Sequence, residues 1–128
     1  MYKILYITLT QCFPYEQDGD YKLGQPFKLL INGLHAKAGG GVTYLRNILP
    51  FFAADEAIET HLCIHESQSE AFSDVFDGIV VHTMSFHSSF WRLPIYEQFL
   101  VPRLARDISA AVTFSPANYG PLFARGQI

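Results

Sequence analysis

The sequence has little cysteine, little charge and no long apolar run, and each shortage excludes a class of protein. Its 128 residues contain 2 cysteines, too few for the disulfide framework of a small secreted domain and at a spacing that fits no zinc site. Only 16% of the residues are charged, and the 9 Lys and Arg form no cluster, so no nucleic-acid partner is predicted. No run approaches the roughly 18 apolar residues of a membrane span, and residues 1–9 lead into no signal-peptide cleavage site. These shortages predict a cytoplasmic location.

Apolar residues are abundant by contrast. They make up 49% of the chain, and the aromatic residues alone account for 15%. Burying this surface offsets the entropy cost of ordering the chain, so the sequence predicts a folded domain or part of one. A turn-rich stretch at 14–26 divides the chain. We interpret residues 1–26 as an N-terminal extension or an extra edge strand, and residues 27–128 as one partial domain.

From Phe27 onward, short apolar segments alternate with amphipathic ones. The order strand, helix, strand, helix, strand, helix, strand requires parallel pairing with right-handed crossovers. The sequence therefore predicts an α/β fold: a Rossmann-like open parallel sheet with helices on both faces. The predicted strands cover 28–34, 60–65, 79–83 and 110–114, and the predicted helices cover 42–54, a short segment after 67, and 94–107.

Two details of the predicted helices are specific enough to test. Ser67 and Glu70 fit a capping box, in which each side chain satisfies a backbone N–H at the start of the short helix. The last helix is expected to bury an apolar side. That side consists of Ile95, Tyr96, Phe99, Leu100 and Leu104.

Two loops carry most of the glycine and turn residues, at 35–41 and 115–121. In an open parallel sheet, ligands bind at the carboxyl ends of the strands, where the winding reverses direction. With the first and fourth strands as the central pair, both loops border that crevice. Few residues follow the fourth strand to cover its apolar edge, so we interpret the chain as a piece of a longer protein.

Gly39, Gly40 and Gly41 stand directly before a predicted helix. Backbone N–H groups there can approach an anion closely, and the helix N-terminus adds a partial positive charge, which suits a phosphate or a sugar oxygen. The alternative is a flexible connection that merely needs glycine. Tyr44 occupies the last glycine position of a dinucleotide fingerprint, and no Gly-Lys-Ser/Thr follows for a P-loop.

The histidines predict little chemistry. On a strand, His61 and His65 lie about 13 Å apart, too far to share a metal ion, and we expect them to be partly exposed. His82 and His87 have no identifiable partner, whereas His35 in the first loop is either a ligand-binding residue or a polar loop residue. The sequence has neither a nucleophile elbow nor a placed pair of carboxylates, so it predicts no catalytic residue and no metal site.

Two pairs of segments, in this order and at this separation, resemble a known family. INGLH at 31–35 runs into GGGVTYL at 39–45, and YEQFLVP at 96–102 leads to AVTFSPANYGP at 111–121. They resemble the N-terminal domain of GT-B-fold glycosyltransferases of family 4. The resemblance covers about residues 27–121 and leaves 1–26 outside.

The resemblance implies two Rossmann-like domains that face each other across a cleft, with this chain holding part of the first. In that family the first domain mainly receives the acceptor, and the second, absent here, holds most of the nucleotide-sugar donor. The reaction moves a sugar from a nucleoside diphosphate to an acceptor hydroxyl, usually with retention of configuration. It uses no cofactor besides the nucleotide sugar as co-substrate and no essential metal. Carried over, Gly39, Gly40 and Gly41 face the donor phosphates and the acceptor, and Asn118 and Tyr119 line the acceptor side.

We therefore expect a fragment of a glycosyltransferase, with a role in surface polysaccharide synthesis, that is inactive by itself. Its implied partners are a nucleotide-sugar donor, a glycan or lipid-linked acceptor, and the missing C-terminal domain. A lipid-linked acceptor would add a peripheral contact at the inner face of the membrane, although no basic amphipathic stretch argues for one.

Two other classes stay open. A small flavodoxin-like or receiver-like module would use the same crevice for a phosphate-bearing ligand, although the acidic cluster of a receiver is missing from the strand ends. A non-catalytic interaction domain would pair through an exposed sheet edge. Protection from unfolding by a nucleotide sugar would favour the enzyme, and a defined homodimer at low concentration would favour the interaction domain.

Overall fold

The structure, a computed structural model, describes residues 24–87 and 92–116. Its described strands form one parallel sheet in the order β3-β2-β1-β4. The predicted α/β class is confirmed, and each strand lies within two residues of its predicted bounds. The strands are β1 (Phe27–Asn32), β2 (Ile58–His65), β3 (Val80–Met84) and β4 (Val112–Phe114).

Helices cover both faces of the sheet, also as predicted. The helices are α1 (Gly40–Ala53), α2 (Ser69–Phe72), which lies between 3-10 turns at Glu66–Gln68 and Ser73–Val75, and α3 (Leu93–Asp107). Successive side chains of a strand point to opposite faces, so β1 contributes to two cores. Leu29 and Ile31 pack with α1 and α2, while Leu30 packs with Cys63 and α3.

The predicted apolar side of α3 is only partly right: Leu104 is half-buried and packs against the core around Leu30, whereas Ile95 and Phe99 are exposed. Ile95 and Phe99 are 60% and 72% exposed, and the helix instead buries a stripe at intervals of four residues. That stripe contains a glutamate, whose carboxylate has hydrogen-bonding partners on β1 and in the loop after it. Such partners make burial of a charged group tolerable, and apolar periodicity alone does not reveal them. The stripe consists of Leu93, Glu97, Val101 and Ala105, and Pro102 beside it is buried as well.

The cap before α2 also differs from its prediction. The first 3-10 turn begins at Glu66, so His65 takes the capping position that was assigned to Ser67. The backbone N–H of Ser67 donates to His65 Nδ1 at 3.1 Å, and Gln68 Oε1 accepts from the backbone N–H of His65 at 2.7 Å. The capping box exists, but His65 and Gln68 form it.

The topology places a switch point between β1 and β4. From β1 the chain winds outward through β2 to β3, and α3 then returns it to the opposite side of β1. The carboxyl ends of β1 and β4 therefore border the crevice where open α/β sheets bind ligands. No helix in the described part of the chain is long and apolar enough to cross a membrane.

Candidate functional site

A cleft of about 250 Å³ opens at the carboxyl ends of β1 and β4. Both loops singled out in the sequence contribute to it, because it collects side chains from 35–41 together with Pro116. We call it the switch-point cleft. Its lining residues are Asn32, His35, Ala36, Gly40, Gly41, Tyr44 and Pro116.

The glycine run opens α1 at the edge of this cleft. Gly39 has a φ of +61°, a value that L side chains rarely adopt, and accepts the first helical hydrogen bond from Thr43 N at 3.1 Å. A Cβ on Gly41 would lie 3.3 Å from Ala36 Cα, whereas a Cβ on Gly40 would meet nothing within 4 Å. Gly39 supplies no side-chain cap, so within the described part of the chain no capping side chain occupies the first amides of α1, which suit an anion or an oxygen.

A buried polar network forms the wall of the cleft beside this helix start. Asn32 ends β1 and is 2% exposed, and Glu97 on α3 is 1% exposed. Asn32 Nδ2 donates to Glu97 Oε1, and His35 Nε2 lies 2.7 Å from Glu97 Oε2. Asn32 Nδ2 also lies 3.4 Å from Ser115 Oγ, which ties β1 to the residues after β4. A carboxylate, an amide and an imidazole thus meet where the sheet winding reverses.

Gln68 holds the loop that carries His35. Its Nε2 donates to Gly33 O and Ala36 O, each at 2.8 Å, and the side chain is almost fully buried. Its Oε1 accepts from the backbone of His65 at the end of β2. The turn between β1 and α1 is therefore fixed to the neighbouring strand through one amide side chain.

Cys63 lies beside the network and is inert. It is a fully buried free thiol. Burial, and to a smaller degree the negative charge of Glu97, raise the pKa of Cys63 to about 12. The thiol therefore stays protonated and packs as a small apolar side chain.

Three of the other histidines, His61, His65 and His82, are more buried or better partnered than predicted. His61 and His65 are buried rather than partly exposed, because polar groups satisfy both rings. His61 Nε2 lies 2.8 Å from Glu59 Oε1 and its Nδ1 lies 2.8 Å from the Nε2 of His82, which the sequence left without a partner. His65 bonds Ser67 and the Phe86 carbonyl. Cross-strand partners of this kind depend on the register of β2 against β3, which the sequence alone does not give.

The structure brings His35, Gly40 and Gly41 together in the cleft, with Gly39 next to them. Asn118 and Tyr119 lie outside the described residues. Among the described side chains, no group of three or more His, Cys, Asp or Glu is placed to hold a metal ion. Asn32 and Glu97 are site residues that sequence reasoning missed. The sequence signal for Glu97 was its place in a row of residues four positions apart whose other members, Leu93, Val101 and Ala105, are apolar.

Comparison with protein-family models, with curated proteins and with solved structures gave no match to this chain. The geometry of the switch-point cleft and the resemblance of its flanking segments are therefore the grounds for a function.

Proposed function

We propose that the chain is the acceptor-side part of a nucleotide-sugar-dependent glycosyltransferase. The observation that carries the proposal is the composition of the switch-point cleft, where the uncapped start of α1 adjoins the Asn32, Glu97 and His35 network. Backbone N–H groups suit phosphate oxygens, and the amide of Asn32 and the imidazole of His35, which line the cleft, suit sugar hydroxyls. One cleft thus offers partners for both halves of a sugar-transfer reaction.

The physical demands of sugar transfer agree with this arrangement. The departing diphosphate needs stabilisation of its negative charge, and the reacting centre needs exclusion of water. The helix start supports the first requirement. Closure of a second, donor-binding domain over the cleft would meet the second, which is why we assign the activity to a longer chain and not to these 128 residues alone.

The proposed partners follow from the reaction. They are a nucleotide-sugar donor, a glycan or lipid-linked acceptor and a second domain of the same chain, in a cytoplasmic setting with peripheral membrane contact where the acceptor is lipid-linked. Surface polysaccharide synthesis is the process we propose for such an enzyme.

The test is release of nucleoside diphosphate from a panel of nucleotide sugars by the native gene product, with and without a glycan acceptor. We expect acceptor-dependent release, and we expect Gly40→Val to lower it at least tenfold because the side chain would stand between ligand and backbone. A Cβ at Gly40 meets no atom within 4 Å, so the fold should survive. Ala54→Val, exposed at the far end of α1, is the matched control.

Two outcomes would count against the proposal. Unchanged release of nucleoside diphosphate by the Gly40→Val protein would show that the glycine run is not part of the site. Binding of a phosphate-bearing ligand without release from any nucleotide sugar would favour the small binding module instead.

A further inference from the structure

Tyr44 places an aromatic ring at the switch-point cleft. The residue is 47% exposed, whereas the next residue along α1, Leu45, is fully buried. Within the described part of the chain, the Tyr44 hydroxyl makes no hydrogen bond and its ring stacks on no other ring. A single exposed ring on an open surface needs no explanation, but Tyr44 lines the cleft, where a bound ligand would meet it.

The residues before Tyr44 on α1 leave its ring uncovered. Residues three and four positions apart are neighbours on a helix, and helical side chains lean towards the N-terminal turn. The ring therefore leans over Gly40 and Gly41, which have no side chains. Gly40 does not have a positive φ, and a Cβ there would meet no atom within 4 Å, so the fold does not require glycine at this position. Glycine at position 40 instead keeps the space beside the ring open.

The volume of the cleft indicates how much of a ligand it takes. At about 250 Å³ the cleft is smaller than the roughly 300–1,000 Å³ pockets that enclose drug-sized molecules. A complete nucleotide sugar is at least drug-sized, whereas one monosaccharide is much smaller. The cleft therefore suits a single sugar unit.

A pyranose combines an apolar face with a polar rim, and the cleft offers a match for both. Axial C–H groups make the face apolar, and they contact the negative face of an aromatic ring favourably. The hydroxyls of the rim both donate and accept, so they suit Asn32 and His35 without a fixed pattern of donors. A nucleobase is commonly held between two aromatic or apolar side chains, but among the described lining residues Tyr44 has the only phenol or phenyl ring.

We propose that Tyr44 selects a pyranose as the sugar unit of the switch-point cleft, by stacking its ring against the apolar C–H face of that unit. The proposal rests on the proposed function for the presence of an acceptor sugar in the cleft. It adds a specificity, because an acyclic polyol has the same hydroxyls but no flat apolar face. The ring carries this role, and the Tyr44 hydroxyl is not needed for it.

Three substitutions separate the ring from the other properties of Tyr44. Tyr44→Phe keeps the ring and removes the hydroxyl, Tyr44→Leu keeps an apolar side chain without an aromatic face, and Tyr44→Ala removes both. Phe99→Ala is the matched control, since it removes a 72% exposed ring on α3 that does not line the cleft. Circular dichroism checks the fold of each variant, and should Tyr44→Ala not fold, the comparison of Tyr44→Leu with Tyr44→Phe decides.

The measurement is ¹H NMR of probes titrated into the native gene product. The probes are the methyl glycosides of glucose, galactose and mannose, with sorbitol as the acyclic polyol and uridine as the nucleobase. An aromatic ring current moves protons above the ring to high field, so we expect high-field shifts of the axial C–H protons of at least one glycoside. These shifts should persist in Tyr44→Phe and Phe99→Ala and vanish in Tyr44→Leu. Affinity for that glycoside should fall about fivefold in Tyr44→Ala, whereas sorbitol should bind more weakly and independently of Tyr44.

Any of five results overturns the proposal: no glycoside binds the wild type, a glycoside binds without high-field shifts, Tyr44→Ala keeps full affinity, Tyr44→Phe loses as much affinity as Tyr44→Ala, or sorbitol depends on Tyr44 to the same degree. Binding of uridine that requires Tyr44, with no glycoside bound, would assign the ring to a nucleobase instead. Failure of the proposed function shows differently, as no nucleoside diphosphate release by a gene product in which a glycoside still stacks on Tyr44.

Discussion

Gln68→Met should lower the free energy of unfolding by about 3 kcal/mol, although Gln68 does not line the switch-point cleft. The side chain makes three buried hydrogen bonds, at 2.7, 2.8 and 2.8 Å, to backbone groups of His65, Gly33 and Ala36. Methionine has nearly the same length and fills the same space, so packing changes little. Each lost bond costs about 1 kcal/mol net. Gly33 O keeps its bond from the backbone N–H of Ala36 at 3.0 Å, whereas the His65 N–H and Ala36 O lose the partner that Gln68 supplies.

Urea unfolding followed by circular dichroism measures this effect. With a slope of about 1.5 kcal/mol per molar urea, a loss of about 3 kcal/mol lowers the midpoint by about 2 M. Gln25→Met, on an exposed residue before β1, is the control and should leave the midpoint in place. A loss below about 1 kcal/mol for Gln68→Met would refute the reasoning, since it would mean that water or another side chain replaces the amide.

Three further predictions concern stability. Burial and the neighbouring His61 lower the pKa of His82, so on acidification the unfolded chain takes up the proton at a higher pH than the folded chain does. The free energy of unfolding should be highest above about pH 6.5 and fall as the pH drops through the lowered pKa. His82→Phe should flatten this part of the pH profile of the urea midpoint. Gly33→Ala should cost about 1–3 kcal/mol in urea unfolding, because its Cβ would lie 3.0 Å from a backbone oxygen of β2, whereas Gly40→Ala, with open space around it, should cost nothing; equal effects would contradict the packing argument. Thr113 Oγ1 is buried with no hydrogen-bond partner among the described residues. Thr113→Val should therefore raise the free energy of unfolding by about 1 kcal/mol, seen as a higher melting temperature. A loss of stability would show that the hydroxyl is satisfied.

The order and type of the elements could be predicted because the apolar patterns are local. Leu29, Leu30 and Ile31 form the continuous run of a strand covered on both faces, and both cores indeed receive side chains from it. The buried side of α3 could not be predicted in this way. Its stripe includes Glu97, whose burial depends on partners 62 and 65 residues away in sequence.

The location of the site was likewise more predictable than its chemistry. Strand order and loop composition placed the crevice at the ends of β1 and β4, and the described cleft lies there. In the sequence, Glu97 stands out only as part of the segment 96–102. A single sequence does not give the distance between β1 and α3, so its contacts with Asn32 and His35 could not be predicted. The pairing of His61 with His82 was missed for the same reason, since it requires the β2 and β3 register.

The claim that ligands enter at the switch point can be tested most directly by amide chemical-shift mapping of the chain. Nucleotide sugars and methyl glycosides would be added in turn to ¹⁵N-labelled protein. We predict shifts concentrated at the residues with a backbone N–H that line the cleft, namely Asn32, His35, Ala36, Gly40, Gly41 and Tyr44. Shifts concentrated at the amino ends of the strands, around Phe27 and Ile58, or no shifts with any of these compounds would contradict the account.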